Sequence, residues 1–223
     1  FPEPAVRWLR TQGAHVRLGT RVTSLTWQSN TWRIDGQDFD DVVWATSASH
    51  AAKSLAAQAQ TAPESIANSL HSWANLASDL QFESIATVYA WADGISLGQP
   101  MLSLRSDATN PAQFAFDRGQ LGGPPGLLAL VVSASNQDRT VLQDQVLRQA
   151  QTQLAPFLQG RVLSVVQTLV EKRATFACLP NLHRPAASIA PGLIACGDYV
   201  QGPYPATLEG AVQSGIAAIG LLH

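Results

Sequence analysis

Apolar residues recur along the chain at two spacings, and each spacing predicts one kind of element. Near the start, Ala5, Trp8 and Leu9 lie at the three- and four-residue intervals of a helix face, and Gly13 is a typical stop signal. This pattern predicts a helix over residues 4–12. Comparable patterns predict two helices separated near Pro63 within residues 49–80, one helix over 140–158 and one over 206–222.

Alternating and continuous apolar runs predict strands over much of the remaining chain. Turn signals at Ser29-Asn30 and Asp35-Gly36 flank residues 31–34, and shorter runs centre on 16–18 and on Val22, which together indicate a small antiparallel meander. Residues 41–46 form an apolar run typical of a strand buried on both faces. Further strands are predicted over 84–91, 100–104, 113–116, 127–133, 161–172 and 192–196.

This order of elements predicts a protein that combines helices with sheets, of the α/β (α+β) class. The strands of the middle region look antiparallel, whereas the two ends look like parts of one α/β domain. We therefore predict that residues 1–58 and 180–223 form one domain and that residues 59–179 form a second.

The composition excludes several classes of protein. Hydrophobic residues make up 46% of the 223 positions and charged residues only 13%, which is incompatible with a disordered chain. The net charge of −2 provides no basic field for nucleic acid. So few charges indicate a surface that is covered by a partner, a cofactor, a lipid or further protein. Neither a signal peptide nor an apolar run long enough for a membrane span is visible.

The residue types that commonly carry catalysis form no recognisable set. The five histidines lack the spacing of a metal site, so we predict no metal. Cys178 and Cys196 belong to no CxxC motif, and we interpret them as buried, reduced thiols of a cytoplasmic protein. No Ser/His/Asp set and no Cys/His pair is placed by a motif, so no catalytic residue is assigned.

The tail of the chain carries the one pattern that indicates chemistry. A short buried strand ends at Gly197-Asp198, a Gly/Pro-rich loop follows, and a helix then begins. Ligands of open α/β sheets lie beyond the carboxyl ends of strands, where helix N-termini present free amides. A glycine there permits close approach of a ligand, and an aspartate can accept hydrogen bonds from sugar or ribityl hydroxyls.

The wording of this tail, GDYVQGPYPATLEGAVQSG, resembles the C-terminal flavin-binding segment of the FAD-dependent amine oxidase/phytoene desaturase superfamily. Within that superfamily it looks most like the squalene-associated FAD-dependent desaturases, the hydroxysqualene dehydroxylases. GAHVRLGTRVTSL resembles the family strand whose valine, here Val22, touches the adenine of FAD through its backbone. DDVVWATSA, which contains Ala45, resembles the strand that closes the same nucleotide domain.

The resemblance implies a set of cofactor and substrate contacts. Residues 1–58 and 180–223 would be the C-terminal portion of a Rossmann-like FAD-binding domain, and 59–179 a substrate-binding domain with an antiparallel sheet. Gly197 and Asp198 would face the ribityl and pyrophosphate groups, and amides near Thr207 and Leu208 would point at the flavin O2. The full set of implied cofactor residues is Val22, Ala45, Gly197, Asp198, Pro205, Ala206, Thr207 and Leu208.

The same resemblance implies a flavin hydride transfer to or from a lipophilic isoprenoid. The expected reaction is the reductive conversion of hydroxysqualene to squalene in bacterial hopanoid synthesis. The expected location is the cytoplasm, either free or peripheral on the inner membrane. Tyr204, beside the flavin motif, is the expected substrate contact. Trp91, Phe114 and Phe116 could also line an apolar tunnel, although core packing is the default expectation for them.

Other functions stay open at this point. A carotenoid-type desaturase, an amine oxidase, and a non-catalytic lipid-binding or interaction module are the alternatives. The family's GxGxxG unit does not occur in this sequence, so we expect it in a missing N-terminal half of the same protein. Since that unit binds the pyrophosphate, we expect the 223-residue chain alone to bind FAD weakly or not at all.

Overall fold

The computed structural model describes residues 2–134 and 137–222. Over these residues, six α-helices and eleven strands form two units, one made of residues 2–79 and 183–222 and the other of residues 80–182. The helices are α1 (Pro2–Thr11), α2 (Ala48–Ala59), α3 (Glu64–Ser78), α4 (Arg139–Gln153), α5 (Ala155–Leu158) and α6 (Leu208–Ile219). The strands are β1 (Leu25–Gln28), β2 (Thr31–Ile34), β3 (Gln37–Phe39), β4 (Val42–Trp44), β5 (Phe82–Trp91), β6 (Met101–Ser103), β7 (Phe114–Asp117), β8 (Leu127–Ser133), β9 (Ser164–Phe176), β10 (Ser188–Ala190) and β11 (Leu193–Ala195).

The first unit contains two small sheets. Strands β1, β2 and β3 form an antiparallel meander, and the side chain of Asp35 at its second turn accepts hydrogen bonds from the backbone N–H groups of Thr23 and Ser24. The second sheet has the order β10-β11-β4, with β11 parallel to β4. Trp32, fully buried, donates from its indole nitrogen to the Pro191 carbonyl at 2.8 Å. The meander is thereby fixed to the loop that precedes β11.

The strands predicted around 16–18 and Val22 do not form. Residues 14–24 are irregular and pair with no strand of the described chain, and Val22 is 53% exposed. A strand needs a neighbour that pairs its backbone N–H and C=O groups. The apolar alternation in this segment therefore fits a strand whose partner is not among the described residues.

Most of the other predicted elements are confirmed, with shifted ends. Pro63 separates α2 from α3 and stands at the N-cap of α3. The helix predicted over 140–158 is divided into α4 and α5, because Pro156 lacks the N–H that would continue the first helix. Strand β10 was missed, since three residues are too few to give a pattern.

The two compact units divide at Asp79, whereas the sequence prediction placed that boundary after residue 58. The difference is α3, which packs against α2 and β10 in the first unit. Its sequence has the same Ala- and Ser-rich character as that of α2, so composition gave no sign of where the second unit begins.

The second unit is built on one antiparallel sheet with the strand order β6-β7-β8-β5-β9. One face carries small and branched apolar residues such as Val88 and Leu130, which form a continuous core with Leu142 and Val146 of α4. Gln149, on the same helix, is also buried and binds the backbone of residues 105 and 112 through its side-chain amide. The core of this unit is thus supplied by its own residues.

The opposite face of this sheet is mainly apolar and partly accessible. Directly paired residues of an antiparallel sheet point to the same side, and the registers give two rows across the five strands. We call this surface the open face. Its rows are Met101, Phe116, Ala129, Tyr89 and Gln167, and Ser103, Phe114, Val131, Thr87 and Leu169.

Neither cysteine is fully buried, which corrects the sequence interpretation. Cys178 is exposed and Cys196 is half-buried. Cys178 lies just beyond the end of β9. Burial raises the pKa of the Cys196 thiol.

Candidate functional site

The site lies where the parallel strands β4 and β11 end side by side. Trp44 pairs with Ala195, and the Cys196 N–H donates to the Trp44 carbonyl at 3.1 Å. Parallel strands present their carboxyl ends at the same edge of a sheet. The segments that contain Ala45 and Gly197 therefore leave this sheet at neighbouring positions. The first unit therefore brings together two segments that the sequence placed in one site.

Gly197 is required at its position by the protein itself. Its N–H donates to the Ser214 hydroxyl at 2.8 Å, and that hydroxyl donates to the Ala211 carbonyl at 2.9 Å. The backbone has a φ of +156°, and a Cβ would lie 2.6 Å from Cε1 of Tyr199. The space that we expected a ligand to occupy is therefore filled on this side by the Tyr199 ring.

Tyr199 is a buried residue that supports the loop after β11. Its hydroxyl donates to the Thr46 carbonyl at 3.1 Å, and its ring meets the Trp73 ring edge-on with centroids 6.2 Å apart. Burial raises the pKa of Tyr199, so the hydroxyl remains a donor. The loops that follow β4 and β11 are thus joined by one aromatic side chain.

Asp198 is the charged group of the site. Its carboxylate is partly buried, and this burial raises its pKa, although its own N–H, that of Tyr199 and the Arg184 guanidinium act in the opposite direction. Its backbone carbonyl accepts a hydrogen bond from the Ala206 N–H at 3.4 Å. Asp198 therefore lies beside the loop that leads into α6, where its carboxylate can accept hydrogen bonds from ligand hydroxyls.

The loop before α6 is held in an unusual conformation. Tyr204 and Ala206 have φ values of 53° and 57°, in the left-handed region that side chains other than glycine rarely adopt. Thr207 donates to the Tyr204 carbonyl at 2.6 Å and accepts from the Gly210 N–H at 3.0 Å. A Cβ on Gly210 would collide with the same carbonyl. Such strain costs about 1–3 kcal/mol per residue and is concentrated at functional sites.

The first turn of α6 presents free backbone donors to solvent. The N–H groups of Leu208 and Glu209 find no acceptor within residues 2–134 and 137–222, and Leu208 is 88% exposed. The side chain of Glu209 accepts from Gln213 at 2.7 Å. Free amides and the helix dipole favour partial negative charge at this end.

The structure therefore assembles most, though not all, of the predicted cofactor residues. Ala45, Gly197 and Asp198 lie at the paired strand ends, and residues 205–208 are connected to them through the Ala206–Asp198 hydrogen bond. Val22 lies in the irregular segment, and no hydrogen bond of the described residues connects it to this group. Tyr204, the predicted substrate contact, is exposed on the loop.

Sequence reasoning missed the residue that holds the other end of this loop. Arg184 donates through Nη1 to the Val200 carbonyl at 2.8 Å and through Nη2 to the Gly202 carbonyl. It is the only charged residue between Arg173 and Asp198. An isolated charge in so apolar a segment is a signal that could have identified it.

Within the described residues, no group of three or more His, Cys, Asp or Glu side chains could hold a metal ion. The longest helices there have fifteen residues, and none combines the length and apolar character needed to cross a bilayer.

Comparison with known proteins places the chain in a family. Residues 4–218 match the model of the flavin containing amine oxidoreductases. The chain belongs to that family. No curated protein matches it significantly.

A solved structure shows the same fold at low sequence identity, and a second gives a weaker match. An oxidoreductase from Methanosarcina mazei superimposes with a TM-score of 0.62 at 14% identity, over 96% of this chain and 52% of that one. Reduced UDP-galactopyranose mutase gives a TM-score of 0.46 at 13% identity, over 69% of this chain and 33% of that one. The chain thus spans about half the length of the first of these proteins.

The flavin of the family fits the residues present at the strand ends. A dinucleotide cofactor needs acceptors for its sugar and ribityl hydroxyls and donors for its electron-rich ring edge and phosphates. Asp198 supplies the acceptor, and the unpaired amides of Leu208 and Glu209 supply donors. The left-handed loop between them places no bulky side chain other than that of Tyr204 near these groups. Its other residues include Gly202, Pro203, Pro205 and Ala206.

Proposed function

We propose that the full-length protein is an FAD-dependent oxidoreductase that acts on a lipophilic isoprenoid, with hydroxysqualene as the substrate and squalene as the product. The observation that carries the flavin part is the connection of Asp198 to the free N-terminal amides of α6 through the strained Tyr204–Ala206 loop. When bound, FAD supplies the hydride chemistry.

The residues of this chain would bind and orient the cofactor. The Asp198 carboxylate would accept hydrogen bonds from ribityl hydroxyls, and the Leu208 and Glu209 amides would donate to the ring edge that gains charge on reduction. Thr207 would keep these amides in register by capping the helix at Gly210. No side chain of the described residues is assigned a proton-transfer role.

The open face of the second unit supports a lipophilic substrate. Phe114 and Phe116 lie on it with ring centroids 6.4 Å apart, and Met101 and Leu169 extend the apolar surface to both edges of the sheet. Contiguous apolar patches on a protein surface mark binding sites. A hydrocarbon chain buries more of such an apolar surface than a small polar amine does. A substrate of this kind resides in the bilayer, so the proposal includes a peripheral position on the cytoplasmic face of the inner membrane.

Exposed apolar surface in the first unit supports a further protein partner. Leu208, Val212, Ile216 and Ile219 recur at helical spacing on α6, and all four are exposed. We call these four residues the α6 stripe. We propose that it is covered by the N-terminal half of the same protein, which would add the glycine-rich pyrophosphate site. The Methanosarcina mazei protein, of which this chain covers about half, has the length for such a half.

The test uses purified full-length protein. We expect a flavin absorbance spectrum, and we expect squalene to form from hydroxysqualene when a reductant is supplied. A colourless protein that takes up no added FAD would contradict the flavin proposal. Flavin binding with turnover of an amine and none of hydroxysqualene would retain the cofactor and reject the substrate.

A pair of variants tests the substrate surface. Phe114→Ser on the open face is expected to raise KM about tenfold, since burying one aromatic side chain is worth about 1.5–3 kcal/mol. Leu121→Ser is the matched control, because Leu121 is at least as accessible as Phe114 but lies outside the open face. Equal effects of the two substitutions on KM would reject the open face as the binding surface.

A further inference from the structure

The loop that follows Asp198 is held at its base by two adjacent residues. Arg184 donates to the carbonyls of Val200 and Gly202, and the Gln201 N–H between them donates to the Pro185 carbonyl at 2.8 Å. One dipeptide therefore binds a backbone polar group of each of three successive residues. We call this arrangement the Arg184 clamp.

The chemistry of the clamp is specific to arginine. A guanidinium is planar and carries its donors in a fixed fork, so that it can bind two carbonyls at once, whereas the ammonium of a lysine is a single point of charge. Val200 is buried. Removing the guanidinium would leave the buried Val200 carbonyl without its partner, which is the costly form of a lost hydrogen bond.

The clamp acts on the part of the site that must contact a cofactor. Beyond Gly202, the chain enters the left-handed turn at Tyr204 and Ala206, and Ala206 returns to the Asp198 carbonyl. The loop is thus fixed at its base by Arg184 and at its far end by Thr207. The guanidinium also adds a positive charge near the Asp198 carboxylate, which favours its ionised form.

We propose that Arg184 is a positioning residue for the cofactor. By fixing residues 200–202, it sets the distance between the Asp198 carboxylate and the amides of α6, so that both can contact one ligand. This inference rests on the proposed function, and it adds a role for a residue that lies outside the flavin motif.

The experiment compares Arg184→Ala and Arg184→Lys with the unchanged full-length protein. FAD affinity is measured by titration calorimetry, and the visible spectrum of bound flavin reports its surroundings. We expect Arg184→Ala to weaken FAD binding about tenfold or more and to shift the flavin spectrum. Arg184→Lys should recover a part of the affinity, and millimolar guanidinium should restore binding to Arg184→Ala.

Arg173→Ala is the control, because Arg173 is an exposed arginine of the second unit. It should leave FAD affinity and spectrum unchanged. Unchanged FAD affinity and spectrum in Arg184→Ala would overturn the inference, and so would a loss of binding that guanidinium does not restore. If the unchanged protein itself binds no FAD, the proposed function fails, which is a distinguishable result.

Discussion

The two units bury their apolar residues in different ways. In the second unit, α4 covers one face of the sheet and its apolar side chains complete a continuous core. In the first unit, α1 buries no residue, and α6 buries only Gly210 and Ala218 while the α6 stripe is exposed. The second unit therefore has a core closed by its own helix and one accessible sheet face, the open face, whereas the first unit presents helix surface of the kind that other proteins bury.

The outer face of α6 carries few charges. Helices on a protein surface ordinarily carry charged residues on their outer face. The only charged residue within α6 is Glu209, and apart from Gln213 the other exposed positions of this helix are apolar. The exposed face of α6 is thus suited to contact with protein or ligand.

The largest expected effect is the difference in stability loss between a substitution in the core of the second unit and one in the α6 stripe. Leu130→Ala removes a fully buried side chain from the central part of the sheet and should lower the free energy of unfolding by about 2–5 kcal/mol. Ile216→Ala, at an exposed position of α6, should change it by less than about 0.5 kcal/mol in the 223-residue chain. Urea denaturation measures both.

The full-length protein provides the control for this pair. If a partner segment covers the α6 stripe, Ile216→Ala should cost about 1–3 kcal/mol there. A cost as large in the 223-residue chain would show that α6 is already packed, and the contrast between the units would be wrong.

The next effect tests how the second unit satisfies its buried polar groups. Gln149 accepts from the Ala112 N–H at 2.8 Å and donates to the carbonyls of Ala112 and Arg105. Gln149→Met keeps the volume but removes the partner of the Ala112 N–H and carbonyl, whereas the Arg105 carbonyl still accepts from Gln153. We expect a loss of about 2–3 kcal/mol in unfolding free energy. Gln153→Met is the matched control, since Gln153 binds only the more accessible Arg105 backbone and should cost under about 1 kcal/mol. Equal losses would contradict this view of the core.

Elements with a complete local signal could be predicted from the sequence, and elements that depend on a neighbour could not. Strand β8 has the predicted bounds because six of its seven residues are apolar. The segment around Val22 has the strand pattern but no pairing partner among residues 2–134 and 137–222, so it stays irregular. In the site, the motif predicted Asp198 and the start of α6. The isolated charge of Arg184 could have marked that residue, but its role could not be predicted, because it depends on two carbonyls about seventeen positions away.

A smaller effect comes from a buried carboxylate of the second unit. Burial raises the pKa of Asp117, but hydrogen bonds from the Leu97 N–H, Gln120 and Ser96 more than offset it, so the pKa is lowered overall. A carboxyl group whose pKa is lowered by folding stabilises the protein at pH values above the pKa that it has in the unfolded chain. This contribution is lost as the pH falls through the pKa of the folded state. Asp117→Asn should cost about 1–2 kcal/mol at pH 7 and flatten the acid limb of the stability curve. An unchanged acid limb would contradict this assignment.

The smallest effect has the opposite sign and lies in the first unit. Burial raises the pKa of Asp198, so the unfolded chain releases this proton at a lower pH than the folded chain does, and stability falls as the pH rises between the two pKa values. Asp198→Asn should therefore stabilise the protein at pH 7, by about 0.5–1 kcal/mol, while weakening FAD binding. Thermal denaturation at pH 4 and pH 7, with Asp117→Asn as the control of opposite sign, measures the difference. A destabilised Asp198→Asn would show that this carboxylate supports the fold in the way that Asp117 does. The view that the first unit loses stability by keeping a carboxylate for cofactor binding would then be wrong.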